Sequence, residues 1–141
     1  MQRQKNWCLF CLLCIGLVGC SWLTDINREH KFETRTRLFS QAIRWSEFER
    51  AQEYIRTRDN RPLNPDLAYL NQIKITKYQN TNIVPQENLD AQNLDRILVY
   101  EIDYFVKDNY KMKHQRYEQL WWYDESAETW FLDSGLPRFK P

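Results

Sequence analysis

Apolar residues recur every three or four positions along residues 34–57, and this spacing predicts one long amphipathic helix. The face that would be buried comprises Leu38, Ala42, Trp45, Phe48, Ala51 and Ile55, widened by Phe39 and Ile43. The turn-rich segment 58–62 ends in proline and cannot continue the helix. Asn64 followed by Pro65 has the form of an N-cap with proline in the first turn, which predicts a short helix through residue 70.

After this point the apolar period becomes two, which predicts β-strands at residues 73–78, 94–106, 110–123 and 129–132. One face of the second strand is uniformly apolar and is therefore expected to be buried: Leu98, Tyr100, Ile102, Tyr104 and Val106. Asp108 and Asn109 favour a two-residue turn, because both residue types tolerate positive φ. Such a turn would pair Asp103 with His114, Glu101 with Arg116, and Tyr100 with Tyr117.

One long helix, one short helix and a four-stranded antiparallel meander predict an α+β domain with its helices packed on one sheet face. Neighbouring strand residues point to opposite faces, so Trp121 and Trp122 cannot share one core. We expect one of them beneath the helix and the other across Phe131 or available to a partner. The aromatic group Trp121, Trp122, Tyr123 and Trp130 therefore indicates core or hairpin packing, with stacking on a sugar or protein as the alternative.

The N-terminal segment has the charge layout of a signal peptide. Arg3 and Lys5 precede an uncharged, largely apolar run over residues 7–18. A helix needs about 20 apolar residues to cross a bilayer, so this run is too short for a permanent span. It ends in Leu17-Val18-Gly19-Cys20, which resembles the lipobox of bacterial lipoproteins, where small residues precede a cysteine thioether-linked to diacylglycerol. The resemblance implies cleavage before Cys20 and a lipid on its thiol.

Two other interpretations of this segment stay open. Cys8, Cys11 and Cys14 have the C-x-x-C-x-x-C spacing of iron-sulfur proteins, but they alternate with apolar residues instead of the polar turns that hold a cluster. The other alternative is an ordinary secretory signal in which Cys20 is incidental. All four cysteines lie at or before position 20. We therefore expect neither a disulfide nor a cofactor in the domain.

These features predict a lipoprotein signal peptide at residues 1–19, a lipidated N-terminus and tether at residues 20–33, and the α+β domain at residues 34–141. In Gram-negative lipoproteins an aspartate after the lipidated cysteine retains the protein in the inner membrane. Ser21 occupies that position, so the resemblance implies the outer membrane, facing the periplasm. Loss of Arg3 and Lys5 lowers the formal charge of +1 by two. No strong field then attracts nucleic acid, and the basic group on the predicted third strand is interpreted as a solvated edge: Lys111, Lys113, His114 and Arg116.

The order of elements resembles the nuclear transport factor 2-like, or cystatin-like, cone fold. Within that group, four short motifs are similar to small uncharacterised proteobacterial lipoproteins over about residues 34–140: Arg44-Trp45-Ser46, Trp121-Trp122-Tyr123-Asp124, Trp130-Phe131-Leu132 and Gly135-Leu136-Pro137. The superfamily includes both enzymes and noncatalytic binding modules. The resemblance therefore does not choose between these functions.

The strongest candidates for catalytic residues share one face of the predicted hairpin: Glu101, Asp103, His114 and Arg116. A histidine beside a carboxylate can act as a general base. The helix is expected to cover the opposite, apolar face, which leaves this group on the more solvent-exposed face of the sheet. We therefore expect a noncatalytic binding or assembly module with an envelope protein partner. The alternative is a small-ligand-binding or enzymatic domain with a pocket near Asp103 and His114.

A metal site is not expected from the histidines. His30 lies in the predicted tether, and His114 has no second ligand at a metal-binding spacing.

Overall fold

A computed structural model of the chain describes residues 19–82 and 95–141. Cys8, Cys11, Cys14 and most of the predicted signal peptide lie outside the described residues, as does Leu94. The described part contains helix α1 (Gly19–Arg44), the short helices α2 (Phe48–Gln52) and α3 (Leu67–Leu70), and a curled sheet of strands β1 (Ile73–Asn80), β2 (Arg96–Val106), β3 (Lys113–Asp124) and β4 (Thr129–Leu132). The sheet is an antiparallel meander in the order β1-β2-β3-β4, so the predicted α+β class and meander are confirmed.

Helix α1 begins at Gly19, well before the predicted start at residue 34. No proline interrupts residues 20–44, and the polar residues interpreted as a tether are helical. The helix is held against the β3–β4 hairpin from Arg28 onward. Arg28 Nη2 lies 3.2 Å from Glu125 Oε1, and the ring of Phe32 lies 4.9 Å from that of Trp130. These contacts are distant in sequence, so apolar spacing alone could not reveal them. Within residues 19–82 and 95–141, no helix combines the length and apolarity needed to cross a bilayer.

The single helix predicted over residues 34–57 is wrong at its C-terminal half, because α1 ends at Arg44. Ser46 has a φ of 59°. Its N–H donates to Ile43 O at 2.9 Å, and the Glu47 N–H donates to Ala42 O at 2.8 Å. This pair of bonds is the Schellman motif that ends helices in a left-handed residue. The chain therefore changes direction and begins α2 at Phe48.

The break at Ser46 decides which predicted apolar residues are buried. Most of the predicted face is buried: Phe39, Ala42, Ile43, Phe48 and Ala51. Leu38 and Ile55 pack against the core but are only partly buried. Trp45 is 67% exposed, so its predicted place on the buried face is wrong.

Helix α3 ends at Leu70 as predicted, but its predicted N-cap at Asn64 is wrong. The N-cap is Asp66, whose carboxylate accepts a hydrogen bond from the Tyr69 N–H at 3.0 Å. A carboxylate at this position satisfies one of the free N–H groups of the first turn. Pro65 therefore precedes the cap and does not occupy the first turn.

The predicted register of the central hairpin is confirmed. Strand β2 pairs with β3 so that Asp103 lies opposite His114, Glu101 opposite Arg116, and Tyr100 opposite Tyr117. The predicted inward row of β2 is buried throughout, and helix α1 packs over this face of the sheet. Alternation of apolar and polar side chains therefore identified the buried face of β2.

The predicted two-residue turn at Asp108 and Asn109 is wrong, although it implied the correct register. Strand pairing stops at Tyr104 and Lys113, and Val106 O accepts bonds from the N–H groups of Asn109 and Tyr110 at 3.2 and 3.0 Å. A tight hairpin of type I′ needs positive φ at both central residues. Only Tyr110 has positive φ in this turn, at 52°.

The outer edge of β4 is covered by the chain that follows α2. Ile55 forms a parallel bridge with Leu132. The Leu132 N–H donates to Tyr54 O at 2.9 Å, and the Arg56 N–H donates to Leu132 O at 3.1 Å. These bonds occupy backbone groups that would otherwise be open to pairing with another chain.

Candidate functional site

The structure brings together three of the four residues that the sequence indicated as a candidate catalytic group. His114 Nδ1 lies 2.5 Å from Asp103 Oδ1, and His114 Nε2 lies 2.6 Å from Glu101 Oε2. The His114 side chain is 60% exposed, and the two carboxylates are about 30% exposed. Arg116 is not part of this contact, because its guanidinium approaches Glu118 at 3.9 Å instead. We call Glu101, Asp103 and His114 the sheet-face cluster.

The geometry of the sheet-face cluster favours a charged imidazolium. The hydrogen bond to Asp103 is the main reason that the pKa of His114 is raised, with smaller contributions from both negative charges. In the protonated form each ring nitrogen donates to one carboxylate. A general base needs a ring nitrogen with a free lone pair. The arrangement therefore suits an ion cluster that aligns β2 and β3 better than it suits proton abstraction.

We expect the sheet-face cluster to stabilise the fold at acidic pH and to lose that effect as pH rises. Its full contribution is present below the ordinary histidine pKa of 6.5, and it falls as pH rises through the higher folded-state pKa, because the folded chain then releases its extra proton. Urea unfolding from pH 5.5 to 9 should show this decline. His114→Gln should remove it, whereas Gln115→Asn leaves the cluster intact and should retain it. An unchanged pH profile in His114→Gln would contradict this coupling.

A groove that was not predicted from the sequence lies at another part of the surface. It runs between residues 55–70 and residues 134–139 and has a volume of about 500 Å³. We call it the C-terminal groove. This volume is within the range of small-molecule sites. Its apolar lining includes Leu70 and Phe139, which are 5% and 8% exposed, together with Leu136.

The wall formed by residues 134–139 is fixed to the sheet by tyrosine hydroxyls. Tyr117 Oη donates to Gly135 O at 2.5 Å, and Tyr104 Oη accepts from the Lys140 N–H at 3.1 Å. The ring of Phe139 packs 4.7 Å from Tyr104. Because these partners belong to the core strands, this wall is held in place without a ligand.

The opposite wall is held by polar contacts of its own. Thr57 is 3% exposed, and its hydroxyl donates to Arg61 O at 2.9 Å. The Arg58 N–H donates to Asp133 Oδ1 at 3.0 Å, which connects this wall to the chain after β4. The walls meet where a Cβ on Gly135 would lie 3.2 Å from Leu63 Cδ1. Gly135 also has a φ of 75°, so a larger residue there would be strained as well as crowded.

Three arginines line the C-terminal groove, and they differ in their partners. Arg56 Nη1 pairs with Asp124 Oδ2 at 3.0 Å, and its guanidinium stacks 3.9 Å from the centre of the Phe131 ring. Among the described residues, no carboxylate lies within ion-pair distance of Arg61 or Arg138. Of the described residues in this lining, one has an acidic side chain, Asp66, against these three arginines. The groove therefore presents net positive charge beside an apolar floor.

Sequence reasoning missed the C-terminal groove because its two walls are irregular and far apart in the chain. The available signal was the presence of prolines in both segments, at Pro62 and Pro65 and at Pro137. Proline restricts φ and marks segments that are rigid without being helical or extended in a sheet. That signal indicates two stiff segments, but nothing in it shows that they face each other.

The tryptophans are divided as the alternation predicted. Trp121 is fully buried beneath α1, whereas Trp122 lies on the other face of the sheet, 6.1 Å from the ring of Phe131. Trp122 Nε1 donates to Arg56 O at 2.8 Å. Trp130 is buried against Phe32, and Tyr123 packs 5.4 Å from Trp130. The group therefore stabilises the hairpin and the helix contact.

The remaining predicted site residues do not form a further site. Cys20 lies in the first turn of α1, and His30 is exposed on the same helix. Within the described part of the chain, no group of three or more histidine, cysteine or acidic residues could hold a metal ion. Comparisons with family models, with curated proteins and with solved structures find no match to this chain.

Proposed function

We propose that this chain is an envelope lipoprotein whose domain is a noncatalytic binding module, with the C-terminal groove as its binding site. One observation carries the binding role: one wall of the groove is fixed to the core strands by tyrosine hydrogen bonds, the other is held by its own polar contacts, and the lining combines an apolar floor with an excess of arginine. A site that is formed before its ligand arrives loses little conformational entropy on binding. An envelope protein partner stays a prediction alongside a small ligand.

Membrane attachment through Cys20 is supported by the sequence Leu17-Val18-Gly19-Cys20 that precedes the domain. Each methylene of a buried acyl chain contributes about 0.8 kcal/mol, so two or three chains anchor a protein stably. Helix α1 continues from this position through Arg28, which pairs with Glu125 after β3. In this proposal the domain is held about 12 Å along the helix axis from the lipid, at about 1.5 Å per residue.

The enzymatic alternative near Asp103 and His114 is less well supported. Both ring nitrogens of His114 contact carboxylates, and the side chain is largely exposed to water. A catalytic base works best where water is restricted and its lone pair faces a substrate. The binding module therefore remains our preferred function, on the evidence of the groove.

We further propose that the domain is a variant of the nuclear transport factor 2-like cone fold. The order of helices followed by a curled antiparallel meander supports this proposal. An experimental structure superposed on members of that superfamily would test it. Superposition of α1 and of strands β2–β4 in one frame is expected, and a different crossing of α1 over the sheet would exclude membership.

Replacing the proposed lipid-bearing thiol should release the chain from the membrane. We expect Cys20→Ser to move most of the protein from the membrane fraction to the soluble fraction, because the acyl chains have no other attachment point. Mass spectrometry of the wild-type N-terminus should show a diacylglyceryl group on Cys20 and no residues before it.

The matched control for this experiment is Cys14→Ser, which removes a thiol from the segment proposed to be cleaved. It should leave both the fractionation and the mature mass unchanged. Membrane retention of Cys20→Ser after a carbonate wash would contradict the anchor. Loss of an iron-sulfur absorbance in Cys14→Ser would instead support the cluster interpretation.

A further inference from the structure

The charges of the C-terminal groove indicate what kind of ligand it could hold. Arg138 is exposed at its rim, and Arg61 lies on the opposite wall. Asp59 accepts the Arg61 N–H at 3.2 Å, and this bond is the main reason that the pKa of Asp59 is lowered. None of the ion pairs among the described residues includes Arg138. An anion is therefore the complementary charge, with Arg138 as its principal contact.

The floor of the groove indicates the other half of the ligand. Leu70, Leu136 and Phe139 form an apolar surface next to the arginines. Burying such a surface stabilises a complex by about 25 cal/mol for each Å² removed from water. A simple inorganic anion would leave this apolar surface exposed to water. A purely apolar molecule would leave Arg61 and Arg138 without a negatively charged partner in the ligand.

The size of the groove favours a compact ligand. Its walls approach each other closely where a Cβ on Gly135 would lie 3.2 Å from Leu63 Cδ1. The volume of about 500 Å³ matches small molecules of moderate size.

We infer that the C-terminal groove binds a small amphiphilic anion, with its charged head at Arg138 and Arg61 and its apolar body on Leu70, Leu136 and Phe139. This inference rests on the proposed function, in which the same groove is the binding site. The shared chemistry is an acidic head on an apolar body, whether the head is a carboxylate, a sulfate or a phosphate. Guanidinium groups bind all three through charge-assisted hydrogen bonds.

The test uses the full chain in a phosphatidylcholine nanodisc, so that no free detergent competes for the groove. The probes are 4-phenylbutyrate, which carries the anion, and 4-phenylbutanol, which has a similar body without charge. Methyl NMR shifts report the location, since leucine methyls line the groove at Leu63, Leu70 and Leu136. We expect 4-phenylbutyrate to produce saturable shifts at these methyls, with a Kd about fivefold or more below that of the alcohol.

Variants separate the charge from the groove itself. Arg138→Gln should weaken 4-phenylbutyrate binding about fivefold and leave the alcohol unchanged, and Arg138→Lys should restore most of the difference. The matched control is Arg116→Gln, because Arg116 is an exposed arginine on the sheet face and outside the groove. It should bind both probes like the wild type.

The outcomes distinguish this inference from the function on which it rests. Equal binding of the acid and the alcohol, with no effect of Arg138→Gln, would overturn the anionic head and keep the groove as a binding site. Absence of saturable shifts with either probe would overturn both. Saturable shifts confined to another surface would likewise exclude the groove.

Discussion

Replacing Phe39 with alanine is expected to lower the free energy of unfolding by about 3–5 kcal/mol, the range for removing a buried aromatic ring. Phe39 is fully buried where α1 crosses the sheet. Its ring packs 5.6 Å from Trp121 and 6.3 Å from Tyr54. The substitution leaves a cavity between helix and sheet that these large neighbours cannot fill without leaving their rotamers. Urea unfolding followed by circular dichroism measures the loss.

The informative control is Trp45→Ala, which removes a larger side chain from the same helical region. Trp45 belongs to the apolar face predicted from the sequence, yet it is 67% exposed beyond the end of α1. We expect its removal to change the free energy of unfolding by no more than about 0.5 kcal/mol, as for surface substitutions generally. If Trp45→Ala were the more damaging of the two, the helix break at Ser46 would be wrong.

Replacing Gln119 with methionine should be nearly as damaging as loss of a core ring, although the shape is almost conserved. Gln119 is fully buried. Its Oε1 accepts from Trp121 Nε1 at 2.8 Å, and its Nε2 donates to Tyr78 Oη at 2.6 Å. Methionine leaves the buried Trp121 Nε1 and the partly buried Tyr78 Oη without these bonds. An unsatisfied buried group costs about 1–3 kcal/mol, so we expect a total loss of about 2–4 kcal/mol.

Gln79→Met is the matched control for Gln119→Met, because Gln79 is an exposed glutamine on β1. It should leave the unfolding free energy nearly unchanged. Tyr78→Phe added to Gln119→Met removes one of the two groups that lose their bond to Gln119 and should recover part of the loss. A neutral Gln119→Met variant would mean that water reaches this network or that the network contributes nothing.

These two pairs of variants examine how the domain supports the proposed site. The Gln119 network connects β3 to β1, whereas Phe39 joins α1 to the sheet. Tyr117 on β3 and Tyr104 on β2 hold the wall of the C-terminal groove. Damage to the core is therefore expected to loosen the groove. Arg138 at the rim can be changed without disturbing these contacts.

Polar side chains form different kinds of contact on the two faces of the sheet. Tyr78 stacks on Tyr100 with ring centres 4.3 Å apart, and burial raises the pKa of the Tyr78 hydroxyl. Ser40 on α1 donates to Tyr100 Oη at 3.1 Å. Polar atoms on the covered face are thus paired with one another, whereas the polar groups on the other face, such as His114, form exposed ion pairs.

The α+β class and the meander could be predicted from the sequence alone, because they follow from short-range alternation. Once the row from Leu98 to Val106 must be buried, a shift of one residue would turn it toward water. The same rule separated Trp121 from Trp122. The register of the central hairpin was predicted correctly from a two-residue turn that the structure does not contain. The N-terminal motif that ends at Cys20 is equally local, and the lipid that it predicts awaits the fractionation experiment.

The extent of α1, the contacts of His114 and the C-terminal groove depend on tertiary structure. Arg28 and Phe32 of α1 contact a hairpin distant in the chain, and the helix ends at Arg44 because Ser46 takes a left-handed conformation. His114 is held by two carboxylates whose side chains converge only after β2 and β3 pair. The groove arises where two irregular segments meet, and residues that meet across such distances leave no periodic pattern in the sequence.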